Sequence, residues 1–267
     1  MTLIVMGGRG FVGSAFVRHA ASTSTPYLVV TRENYSQQRG SVGQVFVNAN
    51  GNPRKYLAER EPVLDFAASV TTVVQSLQDF PGRTYVYLSS TAIYPEPQDP
   101  ELAEEETAIE PKWLGLYGFH RLLAETIVRK YARSWLIARL GGMVGPRLAK
   151  GPIFDLLTTR SVRTSWDSQF QLLLTDYVAA TILALVDRGV TNQVINVCGR
   201  GAVVLGDVYT QVFGTTPPPN GLPVEAWHAS STKLSQYTYV PRSNDTLEEF
   251  LESDFALELH KRSTTET

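Results

Sequence analysis

Two clusters in this sequence have the residue types and spacing for chemistry. Ser89-Ser90-Thr91 closes the apolar run Thr84-Tyr85-Val86-Tyr87-Leu88 and is followed by Ala92-Ile93-Tyr94. If that run is a parallel strand, its hydroxyls lie at the carboxyl edge, where open α/β sheets bind ligands. Tyr117 and Arg121 are four residues apart and share one face of a helix. A phenol beside a permanent cation suits proton transfer to or from a sugar or alcohol oxygen. On spacing alone, the same pair is compatible with packing and a surface charge.

A third cluster supplies a partner for that chemistry. Leu3 to Met6 is a buried-strand run that enters Gly7, Gly10 and Gly13, spaced G-x-x-G-x-x-G, with Phe11 and Val12 inside the stretch. A helical pattern follows, with Phe11, Ala15 and Phe16 on one side. Strand, tight turn and helix N-terminus in this order bind a dinucleotide pyrophosphate, because a Cβ at the glycines would hold phosphate away from the backbone N–H groups. The second strand, Tyr27 to Val30, ends in Thr31-Arg32. An NAD site places an acid on the ribose 2′-hydroxyl there, whereas a guanidinium grips a 2′-phosphate through charge-assisted hydrogen bonds. Arg32, with Arg9 from the glycine turn, therefore points to NADP. Glu33 is the ribose acid instead if the strand ends later.

The elements that must position these groups alternate as a parallel sheet requires. Gln44 to Val47 reads as strand three, Pro53 to Glu59 as a short helix, and Val63 to Ala68 as strand four, whose end places Ala67 and Ala68 in the cofactor site. Thr71 to Asp79 reads as a helix, Thr84 to Leu88 as strand five, Tyr117 to Tyr131 as an amphipathic helix and Trp135 to Leu140 as strand six. The acidic, proline-flanked stretch Glu96 to Glu110 reads as a solvated surface loop. A helix capped at Thr175 or Asp176 runs to Arg188 and stops at Gly189, before the strand Val194 to Val197. A last helix is expected from Thr246 to about Leu259. The fold class is α/β, a Rossmann-type doubly wound parallel sheet with a small C-terminal substrate lobe. The expected division is a cofactor domain over 1–147 completed by 175–198, a lobe over 148–174 and 199–260, and a disordered tail over 261–267.

Composition narrows the function classes. The chain has 267 residues and a net charge of −2, which gives no reason to expect nucleic acid or an acidic membrane surface as partner. The single cysteine, Cys198, excludes an internal disulfide and a cysteine-rich metal site, and the four histidines lack zinc-site spacing. With no leader-like segment and no long apolar run, a soluble cytoplasmic protein is expected.

The motifs together resemble the extended short-chain dehydrogenase/reductase family of nucleotide-sugar epimerases, dehydratases and reductases. The likeness runs through the glycine motif, Ser-Ser-x-x-Ile-Tyr, Leu-Tyr-Gly-x-x-Arg-x-x-x-Glu and Arg139-Leu140-x-x-x-x-Gly145-Pro146. It extends to Asp176-Tyr177-Val178-Ala179, Asn196-Val197-Cys198-Gly199 and Ser231-Thr232-Lys233-Leu234. In the cofactor-binding part it is most similar to the GDP-fucose synthase branch, which uses NADP. The resemblance implies Ser90 as the substrate-polarising hydroxyl, Tyr117 as proton donor, and Arg121, in place of the family's lysine, on the nicotinamide ribose.

Departures from the pattern shape the functional expectation. Ala92 stands where that branch has an acid/base cysteine, Gly142 where the family has an asparagine touching the sugar nucleotide, and Arg147 follows Gly145-Pro146 without a nearby histidine. The segment between Ala68 and Thr84 has room for about one helix, shorter than the family's connection, which favours a monomer or an atypical dimer. The expected activity is NADP-dependent reduction of a ketone on a sugar-like substrate, without inversion of the carbon beside the ketone. The alternatives are an epimerase working by transient oxidation and a catalytically weak NADP-binding sensor or scaffold.

Overall fold

A computed structural model describes residues 2–52, 55–82 and 84–265. Contacts divide the chain into two compact units, one of residues 1–95, 105–140 and 176–196, the other of 96–104, 141–175 and 197–267. Of the residues expected in the cofactor domain, 96–104, 141–147, 175 and 197–198 fall in the second unit.

In the first unit, a six-stranded sheet is built on β1 (Leu3–Met6), β2 (Tyr27–Val30), β3 (Val45–Asn48), β4 (Thr84–Ser90), β5 (Trp135–Leu140) and the strand Gln193–Val197. Their order is β2-β1-β3-β4-β5 followed by the strand Gln193–Val197. β1 pairs in parallel with β2 through Val5 and Val29 and with β3 through Val5 and Val47. β1, β3 and most of β4 are continuous buried runs, the pattern of a parallel sheet covered on both faces. Helix α1 (Gly13–Ser22) follows the glycine turn, and α2 (Tyr35–Gln38) is all the helix that separates β2 from β3. Further along lie α3 (Lys55–Arg60), α4 (Pro62–Phe66), α5 (Thr72–Asp79) and α6 (Leu116–Tyr131). One face of the sheet buries Ile4, Phe46, Tyr85, Tyr87 and Ile137 against Val73 of α5 and Ala124 and Val128 of α6.

The expected strand four does not exist. Pro62 opens α4, and Ala67–Thr71 forms a π-helical turn leading into α5. The apolar run points outward, with Val63 79% and Leu64 63% exposed, and the place beside β1 is taken by β3. A short apolar run has no period to separate strand from helix, and the proline at its head starts a helix as readily as it precedes a strand. Within 69–83, the π turn and α5 both pack on α6. Only β2 lies outside β1 in the sheet order.

Smaller differences concern ends and loops. Of the helix expected from Pro53, that residue lies outside the described ones, and α3 begins at Lys55. The stretch expected to be a solvated loop buries Ala103 and Glu105, whose Oε1 accepts a 2.7 Å hydrogen bond from the Asn196 N–H. In the second unit, the strand Gly142–Val144 pairs with Leu172–Leu174. Ser243–Leu251 and Asp254–Thr265 form two helices where one was expected. The second is assigned from Asp254 to Thr265, into the stretch expected as a tail, while Glu266 and Thr267 lie outside the described residues.

Candidate active site

The strand order reverses between β1 and β3, the position at which a doubly wound sheet opens a crevice at its carboxyl edge. Gly7 turns the chain there with φ +80°, and a Cβ on it would sit 2.8 Å from the Ala49 carbonyl oxygen at the end of β3. A Cβ on Gly13 would collide with the Gly7 carbonyl. The turn is tied by the Gly10 N–H on the Gly7 carbonyl, 2.9 Å, and the Ser14 N–H on the Gly10 carbonyl, 3.0 Å. Phe11 and Val12 complete it before α1 begins. The tight turn, lacking room for side chains and running into a ten-residue helix, fits a dinucleotide pyrophosphate.

The end of β2 is a polar turn. Asn34 Oδ1 accepts the Thr31 N–H at 2.7 Å, and the Thr31 hydroxyl helps hold the Glu33 carboxyl below its ordinary pKa. Arg9 Nη1 lies 3.6 Å from Glu33 Oε2, with both side chains about three-quarters exposed. Arg32 is exposed beside them. The two arginines and the alternative acid thus share one corner of the site.

Ala67 and Ala68 are not at a strand end. They sit in the π turn, and their expected place beside the glycine turn belongs to Asn48-Ala49-Asn50-Gly51-Asn52. Asn48 is fully buried, donating from Nδ2 to the Tyr85 hydroxyl at 2.7 Å and accepting the Asn50 N–H at 3.0 Å. Asn50 Nδ2 reaches the Ala68 carbonyl at 3.5 Å and Thr72 Oγ1 at 3.4 Å. An asparagine-rich stretch directly after an apolar strand was the available signal.

Ser90 ends β4. Its hydroxyl oxygen accepts the Ala92 N–H at 3.1 Å and caps the turn Thr91–Ile93, which leaves the hydroxyl proton to be donated elsewhere. Gly118 brings α6 against that turn, since a Cβ on it would lie 2.7 Å from the Ala92 carbonyl oxygen. Tyr117, the preceding residue, is thereby placed at the same strand end. Glu59 of α3 accepts the Leu116 N–H at 2.9 Å, satisfying one of the open donors at the start of α6. Arg121 lies behind, 6% exposed, with its guanidinium 5.1 Å from the centroid of the Tyr117 ring. Burial opposes the charge of Arg121, but the Tyr117 and Tyr87 hydroxyls more than offset this and raise its pKa. Burial likewise pushes the Tyr87 phenol up, with Arg121 acting in the other direction.

Beneath the site runs a buried polar chain that sequence reasoning missed. Glu125, fully buried on α6, accepts from Ser89 Oγ at 2.6 Å and from Arg139 of β5 at 3.1 and 2.8 Å. Arg139 also donates to the Tyr94 hydroxyl at 2.9 Å, which donates to Asn196 at 2.8 Å. Asp65 and His120 are paired, Oδ2 to Nδ1 at 2.6 Å, and are 3% and 5% exposed. Asp65 is therefore on α4, not on a strand edge. In the second unit, Gly142 has no room for a side chain, because a Cβ would collide with the Gln171 carbonyl. Among the described residues no group of acids, histidines or cysteines is disposed to hold a metal. No helix there is long and apolar enough to cross a membrane.

Comparisons with known proteins give the family and the fold. Residues 45–198, more than half of the chain, match the NAD dependent epimerase/dehydratase family, and the chain belongs to that family. No curated protein matches. Among solved structures, a UDP-galactose 4-epimerase superposes with TM-score 0.75 at 23% identity, covering 100% of this chain and 99% of that one. A UDP-glucuronic acid 4-epimerase variant from Bacillus cereus, in complex with a fluorinated UDP-sugar and NAD, gives 0.80 at 16%, covering 97% and 100%. A dTDP-4-dehydrorhamnose reductase from Bacillus anthracis, in complex with NADP, gives 0.74 at 15%, covering 94% and 97%.

Proposed function

We propose that this member of the NAD dependent epimerase/dehydratase family is an NADP-dependent reductase acting on a ketone of a sugar or nucleotide sugar. The observation that carries the reading is the set of groups at the end of β4: a hydroxyl with a proton to donate, a phenol, and a buried cation on the phenol ring. The solved relatives support a nicotinamide cofactor and a nucleotide-sugar substrate, since one holds NAD with a UDP-sugar and another holds NADP. Arg32 and Arg9 favour the 2′-phosphate of NADP, with Glu33 as the opposing charge.

When bound, NADPH supplies the hydride. Ser90 donates to the carbonyl oxygen, and Tyr117 gives its phenolic proton to that oxygen as the carbon is reduced, so C=O becomes CH–OH. Inversion beside the carbonyl would need a further acid or base. Ala92 has none to offer, and Asp65 and His120 are buried against each other. That argument does not bear on a hydride returned to the opposite face of the same carbon, which needs no second base. The deciding test is therefore net turnover. Purified protein given nucleotide keto-sugars should consume one NADPH for each ketone reduced. Interconversion of two sugar epimers with no net loss of NADPH would instead establish the epimerase, and NADPH binding with neither reaction would establish a sensor.

A further inference from the structure

We infer that Arg121 is a positioning residue seated in a socket fitted to arginine, tying the loop after β3 to the end of β4 and bracing the Tyr117 ring. Its Nη2 donates to the Asn52 carbonyl at 3.1 Å, and its Nη1 donates to the Leu88 carbonyl and the Tyr87 hydroxyl, each at 3.3 Å. Asn52 follows β3 and Leu88 lies on β4, two neighbouring strands of the sheet. One side chain therefore bridges the ends of two neighbouring strands beside the site.

The socket is shaped for a planar group. Gly51, at φ +137°, has no Cβ to meet the guanidinium, and one placed there would be 2.8 Å from Nη2 and 3.0 Å from Nη1. Asn48 and Asn50 hold the other side of the loop, and Arg121 ties it at Asn52. A lysine carries its donors on a single nitrogen and lacks the rigid fork, so it cannot span Asn52, Leu88 and Tyr87 together. Three of the four terminal N–H groups donate to protein acceptors, while the buried Nε has no partner. With most of its donors turned to the protein, the side chain has the pattern of a brace.

The test restores the family residue. In Arg121→Lys without cofactor, amide hydrogen exchange at 49–52 should quicken at least about tenfold. NADPH affinity by fluorescence titration should stay within about threefold. With a ketone substrate, kcat should fall about tenfold or more, while KM changes by less than about threefold. Tyr87→Phe, a milder change that removes one acceptor, should quicken exchange at 50–52 and leave NADPH affinity unaltered. The inference is overturned if exchange is unchanged in both variants, if Arg121→Lys weakens NADPH binding tenfold or more, or if the lysine variant keeps full kcat. The kinetic arm alone rests on the proposed reductase reading. If no ketone is turned over by the wild type, that reading fails, and exchange with NADPH titration still decides the role of Arg121.

Discussion

Replacing Glu125 by glutamine should be among the most damaging single changes in the chain, although it leaves the number of heavy atoms unchanged and alters neither the glycine turn nor Tyr117. The carboxylate is fully buried and accepts three hydrogen bonds, one from Ser89 and two from Arg139, whose own exposure is 2%. Glutamine keeps one acceptor oxygen but presents an NH2 to a guanidinium, and it leaves that cation buried without a counter-charge. Removing one member of a buried pair costs about 3–5 kcal/mol. At about 2–4 °C per kcal/mol for a chain of this size class, the thermal midpoint should drop by roughly 6–20 °C. The assay is thermal or urea unfolding of Glu125→Gln, Arg139→Met and the double variant. In the double variant the orphaned charge is gone, so it should be more stable than the sum of the two single losses predicts. A loss below about 1 kcal/mol in Glu125→Gln, or strict additivity in the double variant, would refute the claim that the pair fastens α6 to the sheet.

Other expectations follow from the site and its surroundings. Gly13→Ala should abolish binding of any nicotinamide dinucleotide in a titration, because its Cβ collides with the Gly7 carbonyl, and retained binding would refute the assignment of the turn. Arg32→Ala should weaken NADP binding about tenfold to a hundredfold and leave NAD binding unchanged, since it removes a charge-assisted contact to the 2′-phosphate. The Tyr94 phenol is raised from 10.0 to about 12, mainly by burial, so the folded state holds its proton where the unfolded chain loses it. Stability should therefore be intact below pH 10 and fall as pH rises from about 10 to 12. In Tyr94→Phe that decline should be shallower in denaturant titrations, and an unchanged slope would count against it.

The parts of the fold visible in the sequence are those with a local physical signature. The glycine turn was legible because Gly7 and Gly13 lie where no Cβ fits, and the helix carrying Tyr117 because its apolar positions recur at helical spacing. Val63 to Ala68 misled because its apolar residues face solvent, and the choice between helix and strand was made by sheet pairing, which a sequence does not display. Once β3 pairs with β1, no place remains for a further strand there, and the stretch beside the glycine turn is Asn48 through Asn52 and not Ala67 and Ala68. The Glu125–Arg139 pair was present in the matched motifs as two separate letters, but their approach depends on α6 lying across β5, a long-range contact. The pairing of Asp65 with His120 was not legible, because it requires α4 to exist.

The central claim, hydride reduction assisted by Tyr117, is tested most directly by isotope transfer. The protein would be given NADPH deuterated at the transferring position together with a nucleotide keto-sugar, and the product examined by mass spectrometry and NMR. The account predicts one deuterium, on the carbon that bore the ketone, with oxidised cofactor formed in equal amount and the rate falling about a hundredfold or more in Tyr117→Phe. Sugar epimers interconverting without net oxidation of NADPH, or deuterium transfer at the wild-type rate in Tyr117→Phe, would contradict it.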